Sequence, residues 1–323
     1  MNQFCSKVLS CGHYLPQKCL TNFDLAKELD TSDEWITQRT GIKQRYIAEG
    51  SDETTAQMAY KAAQQALEIA GITSDQVDMI ILATSTPDHA FPASAVKVQE
   101  FLKANNAFAF DMQAACSGFI YALSTADKFI KAGAVKNVIV IGSDRMSSLV
   151  DWNDRTTAVL FGDGAGAYVL QAAAYEPDQG ILSTHLFSSG KQYESLYVDA
   201  NKCVSKHGYI KMDGKLIYKH AILKIGEAVT TALKANNLSV CDVDWFVPHQ
   251  ANQRILESIC DHFNIPYEKM IMTIANHANT SAATIPLATY AGIQDKKIKV
   301  GNLLVLEALG GGLTWGSAAL RFG

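Results

Sequence analysis

Cys116 stands in Asp111-Met112-Gln113-Ala114-Ala115-Cys116-Ser117-Gly118-Phe119. A mostly apolar run, residues 107–112, predicts a buried strand ahead of it. Behind it Phe119, Leu123, Ala126 and Ile130 recur at helical spacing, with Lys131 in the last turn and Gly133 as the stop. The thiol is therefore placed near a helix N-terminus. Unpaired backbone N–H groups and the positive helix end favour a thiolate there and lower its pKa. Ala114, Ala115 and Gly118 leave room for a substrate to reach the sulfur. On this stretch alone, a nucleophile and an inert buried thiol are both open readings. His249 ends the run 243–249, and Asn279 stands in His277-Ala278-Asn279-Thr280-Ser281-Ala282-Ala283 before another helical run. Taken singly, His249 also reads as a satisfied strand-end histidine, and Asn279 as a helix cap.

The elements that must position these residues alternate in type. Residues 24–29 and 33–37 read as short helical pieces with a turn between them. Residues 54–70 form an amphipathic helix closed by Gly71, and residues 77–83 an apolar strand interrupted only by Asp78. Apolar strands alternating with helices imply an α/β fold with a largely parallel sheet covered on both faces.

The second half repeats the first. Val77-Asp78-Met79-Ile80-Ile81-Leu82-Ala83 matches Val243-Asp244-Trp245-Phe246-Val247-Pro248-His249 at an offset of 166. Asn137-Val138-Ile139-Val140-Ile141 matches Asn302-Leu303-Leu304-Val305-Leu306 at 165, and Gly166-Ala167-Tyr168-Val169-Leu170 resembles Gly316-Ser317-Ala318-Ala319-Leu320 at 150. The drop places about 15 extra residues in the first half, within 143–161. An offset of 163 sets Cys116 opposite Asn279, and His249 closes the strand equivalent to 77–83. Sites in doubly wound sheets lie beyond the carboxyl ends of strands. Cys116, His249 and Asn279 are thus expected on one face, where two halves meet: residues 1–172 with the cysteine, and 173–323 with the histidine and asparagine.

Composition narrows the class. The chain has 323 residues, 48% hydrophobic and 19% charged, with a net charge of −4. This core supports two domains or one large fold, and nothing in the charge suggests nucleic acid or a membrane surface. The seven cysteines (Cys5, Cys11, Cys19, Cys116, Cys203, Cys241 and Cys260) are an odd, scattered set, which argues for reduced thiols and a cytoplasmic location. No C-x-x-C pair and no H-E-x-x-H supports a metal site. The first residues lack the apolar core of a signal peptide, and no stretch approaches a transmembrane span. Gly162-Asp163-Gly164-Ala165-Gly166 is flanked by β-type residues on both sides, so it reads as strand-turn-strand and not as a dinucleotide fingerprint. Gly310–Gly316 lacks the Lys-Ser/Thr of a P-loop.

With these residues in view, the chain resembles the β-ketoacyl-acyl carrier protein synthase III enzymes, the thiolase-fold condensing enzymes that start bacterial fatty-acid synthesis. The matching motifs run nearly end to end. They are Asp30-Thr31-Ser32-Asp33-Glu34-Trp35-Ile36, Arg39-Thr40-Gly41-Ile42, His89-Ala90-Phe91-Pro92, Ala114–Phe119, Phe161–Gly166, Val247-Pro248-His249-Gln250-Ala251-Asn252, Asn279–Ala283 and Gly310–Gly316. The resemblance implies a thiolase-like fold, internally duplicated, layered αβαβα with mixed sheets.

It also implies a mechanism. Cys116 would take an acetyl group from acetyl-CoA as a thioester, since a thiolate forms readily and its thioester stays reactive toward a carbanion. Malonyl-acyl carrier protein would lose CO2, and the enolate would attack to give acetoacetyl-acyl carrier protein, a second activity on the same chain. His249 Nε2 and Asn279 Nδ2 would donate to the enolate oxygen, which explains a histidine paired with an asparagine and not with a second base. The backbone N–H groups of Cys116 and Gly311 would form the oxyanion hole for tetrahedral charge. Trp35 and Arg39, with Thr31 and Arg155, would hold the CoA nucleotide, and Asn252 its pantetheine arm. Phe91 would cross a homodimer interface and close the partner's acyl pocket. Gln250, Arg254 and Lys219, with Lys224, would receive the carrier protein. The CoA thioesters are substrates, and no cofactor is implied.

Departures from the family pattern sit at Ala278, where relatives usually have glycine, and at Asp261 and His262, where some carry lysines. A thiolase needs a second cysteine near its C-terminus, and here the last is Cys260. Elongating synthases use two histidines, whereas Asn279 fills the second position. A synthase III relative with another acyl-CoA primer in a secondary pathway remains an alternative, as does a non-catalytic acyl-CoA-binding protein of this fold.

Overall fold

A computed structural model describes residues 3–199 and 208–323; Cys203 lies outside the described residues. In chain order the strands are β1 (Phe4–Tyr14), β2 (Lys18–Thr21), β3 (Gln44–Ile47), β4 (Met79–Ala83), β5 (Phe108–Met112), β6 (Asn137–Arg145), β7 (Asp163–Ala174), β8 (Ile181–Ser188), β9 (Leu196–Val198), β10 (Ile210–Met212), β11 (Trp245–Pro248), β12 (Leu303–Gly310) and β13 (Thr314–Arg321).

Local chemistry sets the element ends. The helix Thr55–Ala70 starts where Thr54 Oγ1 accepts from the Gln57 N–H, and a stripe of alanines forms its buried face. The helical piece expected over 24–29 is shorter, Asn22–Leu25, because Thr21 and Asp24 cap it reciprocally one turn earlier. The second piece extends to Thr40 before Gly41 turns left-handed at φ +77°. The strand expected from residue 77 begins at Met79, since Asp78 spends its carboxylate on the Lys136 and Asn137 N–H groups.

Five layers follow from which side each strand residue faces. Met79, Ile81, Val138 and Val140 of one sheet and Leu304, Leu306, Ala318 and Leu320 of the other enclose two helices, Gly118–Lys131 and Thr284–Gln294. The alternate residues Ile80, Leu82, Ile139 and Ile141 pack outward on the helices Thr55–Ala70 and Ser94–Leu102. Phe246, Leu303, Val305 and Ala319 do the same against Gly214–Ala235 and Gln253–Phe263. Because each sheet is covered on both faces, its central strands are apolar throughout, as in Met79–Ala83.

Both sheets are mixed, which corrects the expectation of a largely parallel sheet. The first runs β1-β7-β6-β4-β5, with β4 parallel to β5 and β6, and β7 antiparallel to β6 and β1. The second runs β11-β12-β13-β8, parallel only at β11–β12. The last strand of each half returns beside its predecessor without a crossover helix, and such a return is antiparallel.

The duplication is real, but two registers shift. Asp78 accepts from Asn137 N, and Asp244 accepts from Leu303 N at 2.7 Å, so Asn137 corresponds to Leu303 at offset 166, not to Asn302. The turns Ala115–Ser117 and Ser281–Ala283 carry the same left-handed residue, Ala115 at φ +47° and Ser281 at φ +52°. Cys116 therefore corresponds to Ala282, and Asn279 to Gln113. The third match stands, because Gly142 pairs with Gly166 as Ala308 pairs with Gly316. The insertion is residues 146–162 between β6 and β7, where the second half has only 311–313. The expected boundary at 172/173 falls inside β7, which ends at Ala174.

Candidate active site

Cys116 lies in the turn Ala115–Ser117 that leads directly into the helix Gly118–Lys131. Thr314 ties this turn to the β12–β13 hairpin: its hydroxyl reaches Ala114 O at 3.0 Å, and Ser117 Oγ donates to Thr314 Oγ1 at 2.8 Å. Gly310 is needed here for close approach, since a Cβ on it would stand 2.8 Å from Cys116 N. Cys116, Ser281, Gly311, Gly312 and Thr314 all line one cavity of about 1070 Å³.

His249 follows β11, its backbone N–H donating to Glu307 O of β12 at 2.8 Å. Its Nδ1 sits 2.7 Å from Thr284 Oγ1, and that hydroxyl lies 3.0 Å from Ser281 O. Asn279 is anchored by backbone bonds to Leu160 and Gly162. Its Oδ1 accepts from Ser281 N at 2.9 Å, which orients the amide and leaves Nδ2 as a donor. The turn 279–284 thus touches His249 through Thr284, fixes Asn279 through Ser281, and places Ser281 beside Cys116 in the cavity wall. His249 and Asn279 are themselves buried.

The electrostatics correct one expectation. Burial pushes the Cys116 thiol up to about 12; the Ser281 hydroxyl opposes this and the Asp144 charge adds to it. Desolvation is the largest influence on this thiol and acts against the lowered pKa expected from its place before a helix. Burial also pushes His249 down to about 3, so the imidazole is neutral at physiological pH. A neutral imidazole and an oriented amide form a donor pair, not an acid–base pair.

Asp144 was not singled out from sequence, yet it holds the floor of the site. One carboxylate oxygen accepts from Thr84 Oγ1, Ser85 N and Thr86 Oγ1 at 3.1, 2.7 and 3.1 Å, and the other from Ala282 N at 3.1 Å. Only a signal for long-range contact could have found it. Asp163 of the glycine-rich turn accepts from Ala48 N and from Ser147 N and Oγ, which agrees with a structural role for that motif.

The residues expected to contact the nucleotide form a second cluster outside the cavity wall. The guanidinium carbons of Arg39 and Arg155 lie 5.3 and 5.4 Å from the Trp35 ring centroid. Arg155 is further held by Asp30 O at 2.7 Å. Asn252 joins this cluster through Arg39 O at 3.2 Å while its Oδ1 caps the helix Gln253–Phe263. The Thr31 hydroxyl is buried and has no hydrogen-bond partner among the described residues.

Gln250 is corrected. It is fully buried, its Nε2 donates to Pro248 O and Ile271 O, and its Oε1 accepts from Thr273 and Ile274 N–H. A saturated interior amide cannot meet a surface partner. Arg254 and Lys219 are exposed on neighbouring helices, joined by Tyr218 Oη and Ser258 Oγ at 2.6 Å. Lys224 is engaged with Glu227 at 2.9 Å and lies over the Trp315 ring. Phe91 is 86% exposed, not a core aromatic.

The model of the 3-oxoacyl-[acyl-carrier-protein] synthase III family matches residues 110–190, and that of its C-terminal part matches residues 233–322. The β-ketoacyl-[acyl-carrier-protein] synthase III of Paramagnetospirillum magneticum is 52% identical over 320 residues, covering 98% of each chain. The chain belongs to the β-ketoacyl-acyl carrier protein synthase III family. The crystal structure of the synthase III from Aquifex aeolicus superposes with a TM-score of 0.93 at 47% identity, covering 98% of this chain and 100% of that one. The priming β-ketosynthase of the R1128 polyketide pathway superposes with a TM-score of 0.94 at 32% identity, covering 99% and 97%. As a family member, the chain has the thiolase fold and is a condensing acyltransferase of fatty-acid synthesis. No helix among the described residues is long and apolar enough to cross a membrane.

Proposed function

We propose that this synthase joins acetyl-CoA to malonyl-acyl carrier protein through an acetyl-Cys116 thioester, the initiating condensation of fatty-acid synthesis. The observation that carries this is the turn 279–284, which touches His249, orients Asn279 and lines the cavity with Cys116. Cys116 loses its proton as it attacks the acetyl carbonyl and CoA leaves as the thiol. Decarboxylation of the bound malonyl group then puts charge on its thioester oxygen. His249 Nε2–H and Asn279 Nδ2–H donate to that oxygen, each such donor typically contributing about 10²–10³ in rate. The backbone N–H groups of Cys116 and Gly311 receive the tetrahedral oxyanion. No cofactor is required, because the thioesters supply the reactivity.

Trp35, Arg39 and Arg155, with Thr31 and Asn252, are the CoA contacts, and exposed Arg254 and Lys219 receive the acidic carrier protein. A homodimer is supported by exposed Phe91 and by β5, an edge strand with half-exposed Phe108. Such an assembly would operate in the cytoplasm. Another acyl-CoA primer has less support, since the relative named for a polyketide pathway is the more distant one.

The test is mass spectrometry after incubation with acetyl-CoA. The Cys116 peptide gains one acetyl group, and Cys116→Ser gains none. An adduct only with longer acyl-CoAs would favour the specialised synthase. No adduct with any acyl-CoA would refute the reaction.

A further inference from the structure

We propose that Thr284 is a positioning residue that holds His249 in its Nε2–H tautomer. This rests on the reaction above, in which Nε2 must donate to the enolate oxygen.

The Thr284 hydroxyl has one proton and two acceptors in reach, His249 Nδ1 at 2.7 Å and Ser281 O at 3.0 Å. Its choice sets the imidazole. If the proton goes to Ser281 O, the bond to His249 requires Nδ1–H, and Nε2 is left as a bare lone pair that cannot donate. If it goes to Nδ1, the single imidazole proton sits on Nε2.

Three observations favour the second arrangement. Nδ1 is the nearer acceptor. Ser281 O already receives the Thr284 backbone N–H, whereas Nδ1 has no other partner among the described residues. Thr284 is also the first residue of the helix Thr284–Gln294. The positive end of that helix favours a lone pair at the adjoining nitrogen over a second N–H dipole. Burial disfavours the imidazolium. Thr284 thus acts through His249 and touches no reacting atom.

The tautomer is read directly from nitrogen chemical shifts in ¹⁵N-histidine-labelled protein without substrate, with His249 assigned by comparison with His249→Gln. Nε2 is expected to show the protonated, pyrrole-type shift and Nδ1 the acceptor shift. The reverse pattern would overturn the proposal. Thr284→Val and Thr284→Ser supply the kinetic test. Val should lower condensation with malonyl-acyl carrier protein at least about tenfold more than it lowers self-acetylation, and Ser should restore most of that loss. Equal loss in both half-reactions, with no recovery in Ser, would mean that Thr284 only fills space. Failure of the wild-type protein to acetylate itself would instead refute the reaction, leaving the nitrogen shifts to judge the tautomer.

Discussion

Cys116 holds its proton more tightly than its position before a helix suggests. The sulfur is buried, and the cost of desolvating the thiolate is the largest influence on its proton. Alkylation should report this. The iodoacetamide rate at Cys116 is expected to rise about tenfold per pH unit from pH 7 to 9.5, in step with the thiolate fraction. A plateau near pH 7 would show a thiolate already formed. His249 adds the complementary constraint. Held near 3, it stays neutral throughout that range and can serve as a donor but not as a stored proton.

The two turns 113–118 and 279–284 are pseudo-equivalent elements that have diverged in chemistry. One carries Cys116, the proposed nucleophile, the other Asn279 and the threonine that contacts His249. They meet where Gly118 faces the Ala282 side chain, and the second turn rests on β6 at Gly142. A Cβ there would stand 2.3 Å from Ala282 O, a contact no side chain can make without moving the second turn. Gly142→Ala is therefore expected to cost about 1–3 kcal/mol, as overpacking does. Because the displaced turn carries Ser281, it should also slow Cys116 acetylation. Thermal unfolding and the acetylation time course check both effects; unchanged Tm and unchanged acetylation would show that the junction yields.

Across the whole molecule, folding buries a carboxyl that has no hydrogen-bond partner among the described residues. Glu307 of β12 is fully enclosed, neither oxygen is hydrogen-bonded among the described residues, and burial pushes it up to about 8. In the unfolded chain it titrates near its ordinary value of 4.5. Between these values the native state binds more protons than the unfolded state, so this group makes stability fall as pH rises, by at most about 1.4 kcal/mol per unit. Glu307→Gln removes that dependence. Denaturant unfolding at pH 5 and pH 8 should show the variant losing less stability than wild type over the interval. An equal or steeper loss would place the ionised carboxylate in a polar setting.

How much of this was legible in the chain depends on the range of the forces involved. Alternating apolar runs, the repeat at offset 166 and the Cys116, His249 and Asn279 motifs are local patterns, and the sequence by itself determined the α/β class and the duplication and singled out the three residues proposed for catalysis. The pairing of Asn137 with Leu303 rather than Asn302 came only from hydrogen bonds of the two strand-starting aspartates. Asp144, Thr284 and Glu307 carry no local signature, since Ser85 and Ala282 for Asp144 and His249 for Thr284 lie at least 35 positions away, and the Glu307 carboxyl has no partner among the described residues. Gln250 looked like a surface contact because its motif does not reveal which side chain turns inward. Spacing also could not weigh the helix end against burial at Cys116. Desolvation depends on how completely the folded layers exclude water, and only the tertiary structure decides that.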